Sequence, residues 1–157
     1  MVSCSPAPGL CPVASLPKTI NRLLATYESA LIPARLTATQ FVLLSEIGAR
    51  KTDLPQIAEL SRTLLIDRLR LNRSLRTLER DGFVRFVVNG GERRSSRVEL
   101  TAAGLAKLRQ ASPLWQYAQA QWDATLGKQL AADLRDTLTL IASLDLVASL
   151  NFKTPLL

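Results

Sequence analysis

The sequence predicts a mainly α fold (α+β) in which one two-stranded hairpin interrupts a succession of helices. Three observations carry this. Apolar residues recur at helical spacing along most of the chain, and capping signals stand ahead of the periodic runs. One run rich in strand formers, Phe83 to Val88, leads into the turn Asn89-Gly90-Gly91 and a short return segment, Arg97 to Leu100.

Residues 1–14, rich in Pro, Ser and Cys, are expected to be a flexible tail. Ser15 is placed to cap a first helix with Pro17 in its first turn. Ile20, Leu23, Leu24, Tyr27 and Leu31 give that helix one apolar stripe, which Pro33 ends. Thr37 with Gln40 forms a capping box for a second helix through Phe41, Leu44 and Ile47 to Gly48. Asp53 with Gln56 repeats the device before a short third helix carrying Ile57 and Leu60. Asp67 is the expected cap of a fourth, with Leu71, Leu75 and Leu78 facing the core and Gly82 as its stop. The hairpin follows, its tip carrying Glu92, Arg93 and Arg94. Thr101 caps a helical stretch from about Ala102 to Leu126, which Pro113 should kink or divide. A final helix, from about Lys128 to Val147, carries Leu130, Leu134, Leu138, Ile141 and Leu144 on one stripe.

The 157 residues include 20 Lys+Arg, 13 Asp+Glu and no histidine, for a formal charge of +7. Without histidine there is no Ser-His-Asp or Cys-His site and no His-containing zinc site, and two cysteines cannot supply four zinc ligands. No paired acidic motif stands out, so neither an enzyme nor a metal or cofactor is expected. No apolar run approaches the roughly 18 to 20 residues of a membrane span, and the start lacks a secretory pattern, so the expected location is cytoplasmic. The net charge has an address. From Arg62 to Arg97 ten arginines face four acids, net +6, whereas Ala102 to Leu150 holds four bases and four acids. Every base in the first window is arginine, whose planar fork suits phosphate oxygens and guanine edges.

Helices two to four followed by a hairpin describe a winged helix-turn-helix, expected over residues 37–101. A helix fits the major groove of B-DNA, and the wing can set arginine in the minor groove or on phosphates. Residues 15–36 and 102–157 remain as N- and C-terminal helical regions, and the long leucine stripe and near-zero net charge of the second fit a dimerisation role.

At these residues the chain resembles the MarR family of dimeric bacterial transcription regulators. The resemblance runs from "LTATQFVLLSEI" through "LPQIAELS" to "DRLRLNRSLRTLERDGFV" and the wing "GGERRSSRVELTAAG", and the later "SPLWQYAQAQWDATLG" fits one subgroup. It covers about residues 15 to 150, and the wing followed by Leu-Thr-x-x-Gly is its most specific part. It implies a homodimeric repressor that binds a palindromic operator in double-stranded DNA and is released by a small-molecule effector. Asp67 to Asp81 would be the recognition helix, with Arg68, Leu69, Arg70, Asn72 and Arg73 facing bases or groove walls and Arg93 and Arg94 at the wing tip. The chain departs from the family at Glu92, where Asp is usual, and at Leu69 and Arg70, where small hydroxyl residues are common. Arg76 and Arg80, late in the helix, are expected to be solvated or acid-paired.

The resemblance also places an effector between the dimer helices and the DNA-binding lobe. Arg22, Tyr27, Phe41 and Trp115 are the candidate lining for a small aromatic or carboxylate effector, with plain core packing as the competing reading of the three rings. Two other functional readings stay open. One is a thiol-based redox-sensing regulator using Cys11, with Cys4 the second thiol, since some family members sense oxidants with a cysteine near the start of the first helix. The other is a winged-helix protein-interaction module without DNA contact, which would have no need of ten clustered arginines.

Overall fold

Capping chemistry sets most helix starts in the structure, a computed structural model that describes residues 12–50, 53–87 and 97–144, with the side chains of 12–15 outside that description. These residues form two units, divided between Ala118 and Gln119.

The first unit opens with α1 (Pro12–Leu31), a 3₁₀ turn (Ile32–Ala34) and α2 (Ala38–Ala49). Then come α3 (Ile57–Leu64), α4 (Arg68–Arg80), β1 (Val84–Val87), β2 (Arg97–Leu100) and α5 (Ala102–Leu126), which continues into the second unit. Thr37 caps α2 as expected. Its hydroxyl accepts from the Gln40 amide at 3.1 Å, and the Gln40 side chain accepts from the Thr37 amide at 2.9 Å. Asp67 caps α4, its Oδ1 accepting from the amides of Leu69 and Arg70, both at 3.0 Å. At the far end Gly82 takes φ +76°, and Phe83 donates its amide to the Leu78 carbonyl at 2.8 Å, a glycine stop. Leu65, closing α3, also lies in the left-handed region, at φ 50°.

Antiparallel β1 and β2 pair Val84 with Leu100 and Val87 with Arg97. Leu31, Leu43, Leu44, Leu60, Leu71, Leu75, Leu78, Val84 and Val98 are fully buried, so α1, α2, α3, α4 and the hairpin share one core. Helix α5 joins it at buried Ala111, and its start rests on the base of the hairpin. There the Thr101 hydroxyl donates to the Gly82 carbonyl (2.6 Å) and accepts from the Gly104 amide (3.0 Å), while the Thr101 amide donates to Phe83 (3.1 Å). Gly104 lies so close to the strand that a Cβ on it would fall 1.9 Å from the Phe83 carbonyl oxygen.

Three sequence expectations are corrected and a fourth is narrowed. Helix α1 begins at Pro12, not after Ser15. Proline suits a first helical position, whereas Pro17, inside the helix, forfeits a hydrogen bond and crowds the carbonyl four residues before it. Gly48 lies within α2 and is not its stop, since a Cβ there would sit 3.0 Å from Leu100 and 3.1 Å from Leu108, so packing explains the glycine. The capping box of α3 is Gln56 with Glu59, because Asp53 is drawn into an ion pair with Arg97 at 2.8 Å. Of the two outcomes expected at Pro113, division does not occur, because α5 is one helix across it. Arg109, whose carbonyl loses its partner there, is exposed, as is Pro113, so water can serve that oxygen.

In the second unit, α6 spans Lys128–Ser143, ending earlier than the expected Val147, which itself falls outside the described residues. Arg135 binds Asp123 at 2.7 Å, which holds that carboxyl below its ordinary range. No helix among the described residues is long and apolar enough to cross a membrane.

Arg50 ties the end of α2 to α3 through ion pairs with Glu46 (2.9 Å) and Glu59. The hydrogen bond from Arg50 pulls the Glu59 carboxyl below its ordinary value of 4.5, against the opposing effect of burial. A depressed carboxylate stabilises the fold above its unfolded-state value and loses that contribution as pH falls through its folded value. Denaturant midpoints measured from pH 6 down to pH 3 should therefore fall less steeply in Glu59→Gln than in the native chain. Parallel pH profiles for the two proteins would contradict the clamp.

Candidate nucleic-acid interface

The surface in question is the half of α4 that its core stripe leaves outward. Leu71, Leu75 and Leu78 bury one face against α2, α3 and β1, which fixes the helix along its length. Asp67 fixes its first turn. Arg68, Leu69, Arg70, Asn72 and Arg73 are all exposed; at about 100° per residue Leu69 and Arg73 lie opposite the core stripe, with Asn72, Arg68 and Arg70 on its flanks.

Which arginines remain available is decided by their partners. Arg76 binds Glu79 at 2.8 Å and lies 4.9 Å from the Phe86 ring centroid. Arg80 binds Asp81 at 3.1 Å. Arg85 binds Glu99, its cross-strand partner. Arg97 binds Asp53 and donates to the Leu54 carbonyl, stapling the hairpin to the α2–α3 connection. By contrast, Arg62, Arg68, Arg70 and Arg73 have no carboxylate partner among the described residues. Arg70 makes one long contact, 3.4 Å to the Thr39 hydroxyl. Of the two states expected of Arg76 and Arg80, solvated or acid-paired, the structure shows acid pairing, and of the four acid-free arginines described in the 62–97 window three lie in the first two turns of α4. Arg62, exposed in the last turn of α3, was counted in the charge window but given no role by the sequence.

Arg93, Arg94 and Glu92 at the wing tip lie outside the described residues, as do Cys4 and Cys11. The other candidates are placed. Trp115 stacks on both Tyr27 (ring centroids 4.2 Å) and Phe41 (4.5 Å), so these three rings do come together. Arg22 is exposed on α1. A separate groove of about 310 Å³ lies between α2, β2 and the start of α5, lined by Ile47, Arg50, Leu54, Glu99, Leu100 and Leu105. Its charged groups are already spent on ion pairs, Arg50 with Glu46 and Glu59, and Glu99 with Arg85. No group of side chains suited to hold a metal ion occurs among the described residues.

The MarR family model matches residues 36–95, the stretch from the start of α2 into the wing. The transcriptional regulator MosR of M. tuberculosis is 30% identical to this chain, which covers all of it, with a TM-score of 0.74 over 88% of the present chain. The chain belongs to the MarR family. MosR has also been solved in complex with DNA (30% identity, TM-score 0.69, covering 85% of this chain and 99% of that one). A mutant of E. coli MarR, solved in complex with operator DNA, is 25% identical, with a TM-score of 0.74 over 87% of this chain and 98% of its own. No curated protein sequence matches the chain significantly. The six helices and two-stranded sheet of the described residues are the winged-helix architecture of MarR-family regulators.

Proposed function

We propose that this MarR-family chain is a repressor that binds a palindromic operator as a homodimer and releases it when a small effector binds. The observation that carries the reading is the segregation of its arginines. Those late in α4 and on the strands are neutralised by acids, whereas Arg68, Arg70 and Arg73 stand uncompensated on the outward face of the early turns. Groove contacts concentrate at the N-terminal part of a recognition helix, where these three lie. Arg93 and Arg94 on the wing and Asn72 beside Arg73 complete the proposed contact set, with Arg62 as an additional phosphate ligand. DNA complexes of MosR and of E. coli MarR support the reading, and the 25% identical CouR, bound to a 23-mer duplex, is described as a transcriptional repressor.

Dimerisation is supported by apolar stripes that the single chain leaves uncovered. On α1, Leu16, Ile20 and Leu24 are exposed, and on α6 so are Leu130, Leu138 and Ile141, with Leu144 just beyond. The near-neutral charge of residues 102–150 adds no repulsion between copies. A two-fold pair of winged helices would set its recognition helices about 34 Å apart, one turn of DNA. The effector site implied by the family is proposed at the Tyr27–Trp115–Phe41 stack, where an aromatic ligand would part the rings; Arg22, about 140° around α1 from Tyr27, is not on that face.

Selection of duplexes from a randomised pool tests this reading. The selected sequences should share an inverted repeat with half-site centres about 10 base pairs apart, bound by two copies of the chain. Failure to enrich any duplex would overturn it in favour of an interaction module.

A further inference from the structure

We propose that Leu69 makes this surface selective for thymine, by packing against the C5 methyl group in the major groove. The inference rests on the DNA-binding reading above and adds the base class to it. Leu69 is 83% exposed, more than any other large apolar side chain among the described residues. It lies about 160° around the helix from buried Leu71, so no adjustment of α4 could return it to the core. One turn further along the same outward face stands Arg73, with Asn72 beside it.

Beyond the Asp67 cap, folding gives no reason for the side chains of this first turn. The start of a helix favours acids, because its unpaired amides carry partial positive charge. The first turn of α4 contains no acid and reads Arg68-Leu69-Arg70, two cations around an exposed leucine. Both features become favourable against a polyanion. The arginines meet phosphates or guanine edges, and the leucine, held in place by the bond from its amide to Asp67, is left facing the base edges. There the thymine methyl is the one apolar group that a base pair presents. Cytosine lacks that methyl, and the N7, O6 and N4 groups of the other edges would lose water to an aliphatic side chain without a replacement bond.

The test uses the full chain and duplexes selected by it from a randomised pool. Each thymine of the selected half-site is replaced in turn by deoxyuridine, which removes only the methyl. One position per half-site should then weaken binding about fourfold, the worth of one methyl-sized group removed from water. Leu69→Ala should bind the thymine and uracil duplexes equally and select sites without a thymine preference there. Its thermal melt should match that of the native chain, since the side chain removed is solvated. If no position responds to loss of the methyl, or if Leu69→Ala keeps the native response, the inference is overturned while DNA binding stands. If the native chain selects no duplex, the DNA-binding reading falls and takes the inference with it.

Discussion

Replacing Gly104 with alanine is expected to destabilise the fold by about 3 kcal/mol, at the upper end of what overpacking costs. The reason is a backbone obstacle. A Cβ at residue 104 would stand 1.9 Å from the carbonyl oxygen of Phe83, and that carbonyl is held by the Thr101 amide at 3.1 Å. To accommodate the methyl, the first turn of α5 must lift off the hairpin, breaking the Thr101 bonds to Gly82 and Gly104 as well. For a chain of this size the melting temperature should fall by roughly 6–12 °C. Gly48→Ala provides the contrast, because its new Cβ would meet only the ends of Leu100 and Leu108, at 3.0 and 3.1 Å, which can give way. Its cost should be near 1 kcal/mol. Thermal melts followed by circular dichroism check both, and a Gly104→Ala melt within 2 °C of the native one, roughly, would contradict the close approach.

The second large effect is on binding. Arg70→Ala and Arg73→Ala should each weaken the selected duplex by tenfold or more, within the roughly 1–3 kcal/mol that such an interaction contributes. Neither side chain has a carboxylate partner among the described residues, so its removal leaves no orphaned acid in the protein. Arg80→Ala, by contrast, removes a cation already bound to Asp81 and should change affinity less than about threefold. Fluorescence anisotropy with a labelled selected duplex reads all three. Equal weakening across them would mean that the acid pairing does not sort the arginines.

Much of this was legible in the sequence because helix ends are local chemistry. Thr37 with Gln40, Asp67 with the two amides beyond it, and Gly82 each act within a few residues, so their signals survive without tertiary information. Where the reading failed, the deciding contact was distant along the chain. Asp53 looked like a cap until Arg97, 44 positions on, claimed it and left Gln56 to open α3. Gly48 looked like a stop, although its reason lies in Leu100 and Leu108. Pro113 left a kink or a division open, and its surface position lets α5 continue as one helix. The candidate site follows the same rule. That ten arginines form a basic window is a matter of counting, but Arg85 meets Glu99 only through the strand register. Arg76 reaches the Phe86 ring only because α4 packs on β1. Position in the helix left Arg76 and Arg80 as either solvated or acid-paired, whereas the three-dimensional partners decide for pairing and leave Arg68, Arg70 and Arg73, with Arg62, without an acid among the described residues.

If the acid-free arginines early in α4 bind the phosphates and the groove, the salt dependence of duplex binding must report it. Affinity plotted against salt on logarithmic axes has a slope set by the number of phosphate charges neutralised, about 0.9 for each. Replacing Arg68, Arg70 and Arg73 together with alanine is expected to flatten the slope by about 0.9 for every phosphate that is no longer neutralised. Replacing Arg76, Arg80 and Arg85 together should leave it nearly as steep as in the native chain. Equal flattening by the two triple variants, or a native slope already near zero, would contradict that role for the early arginines.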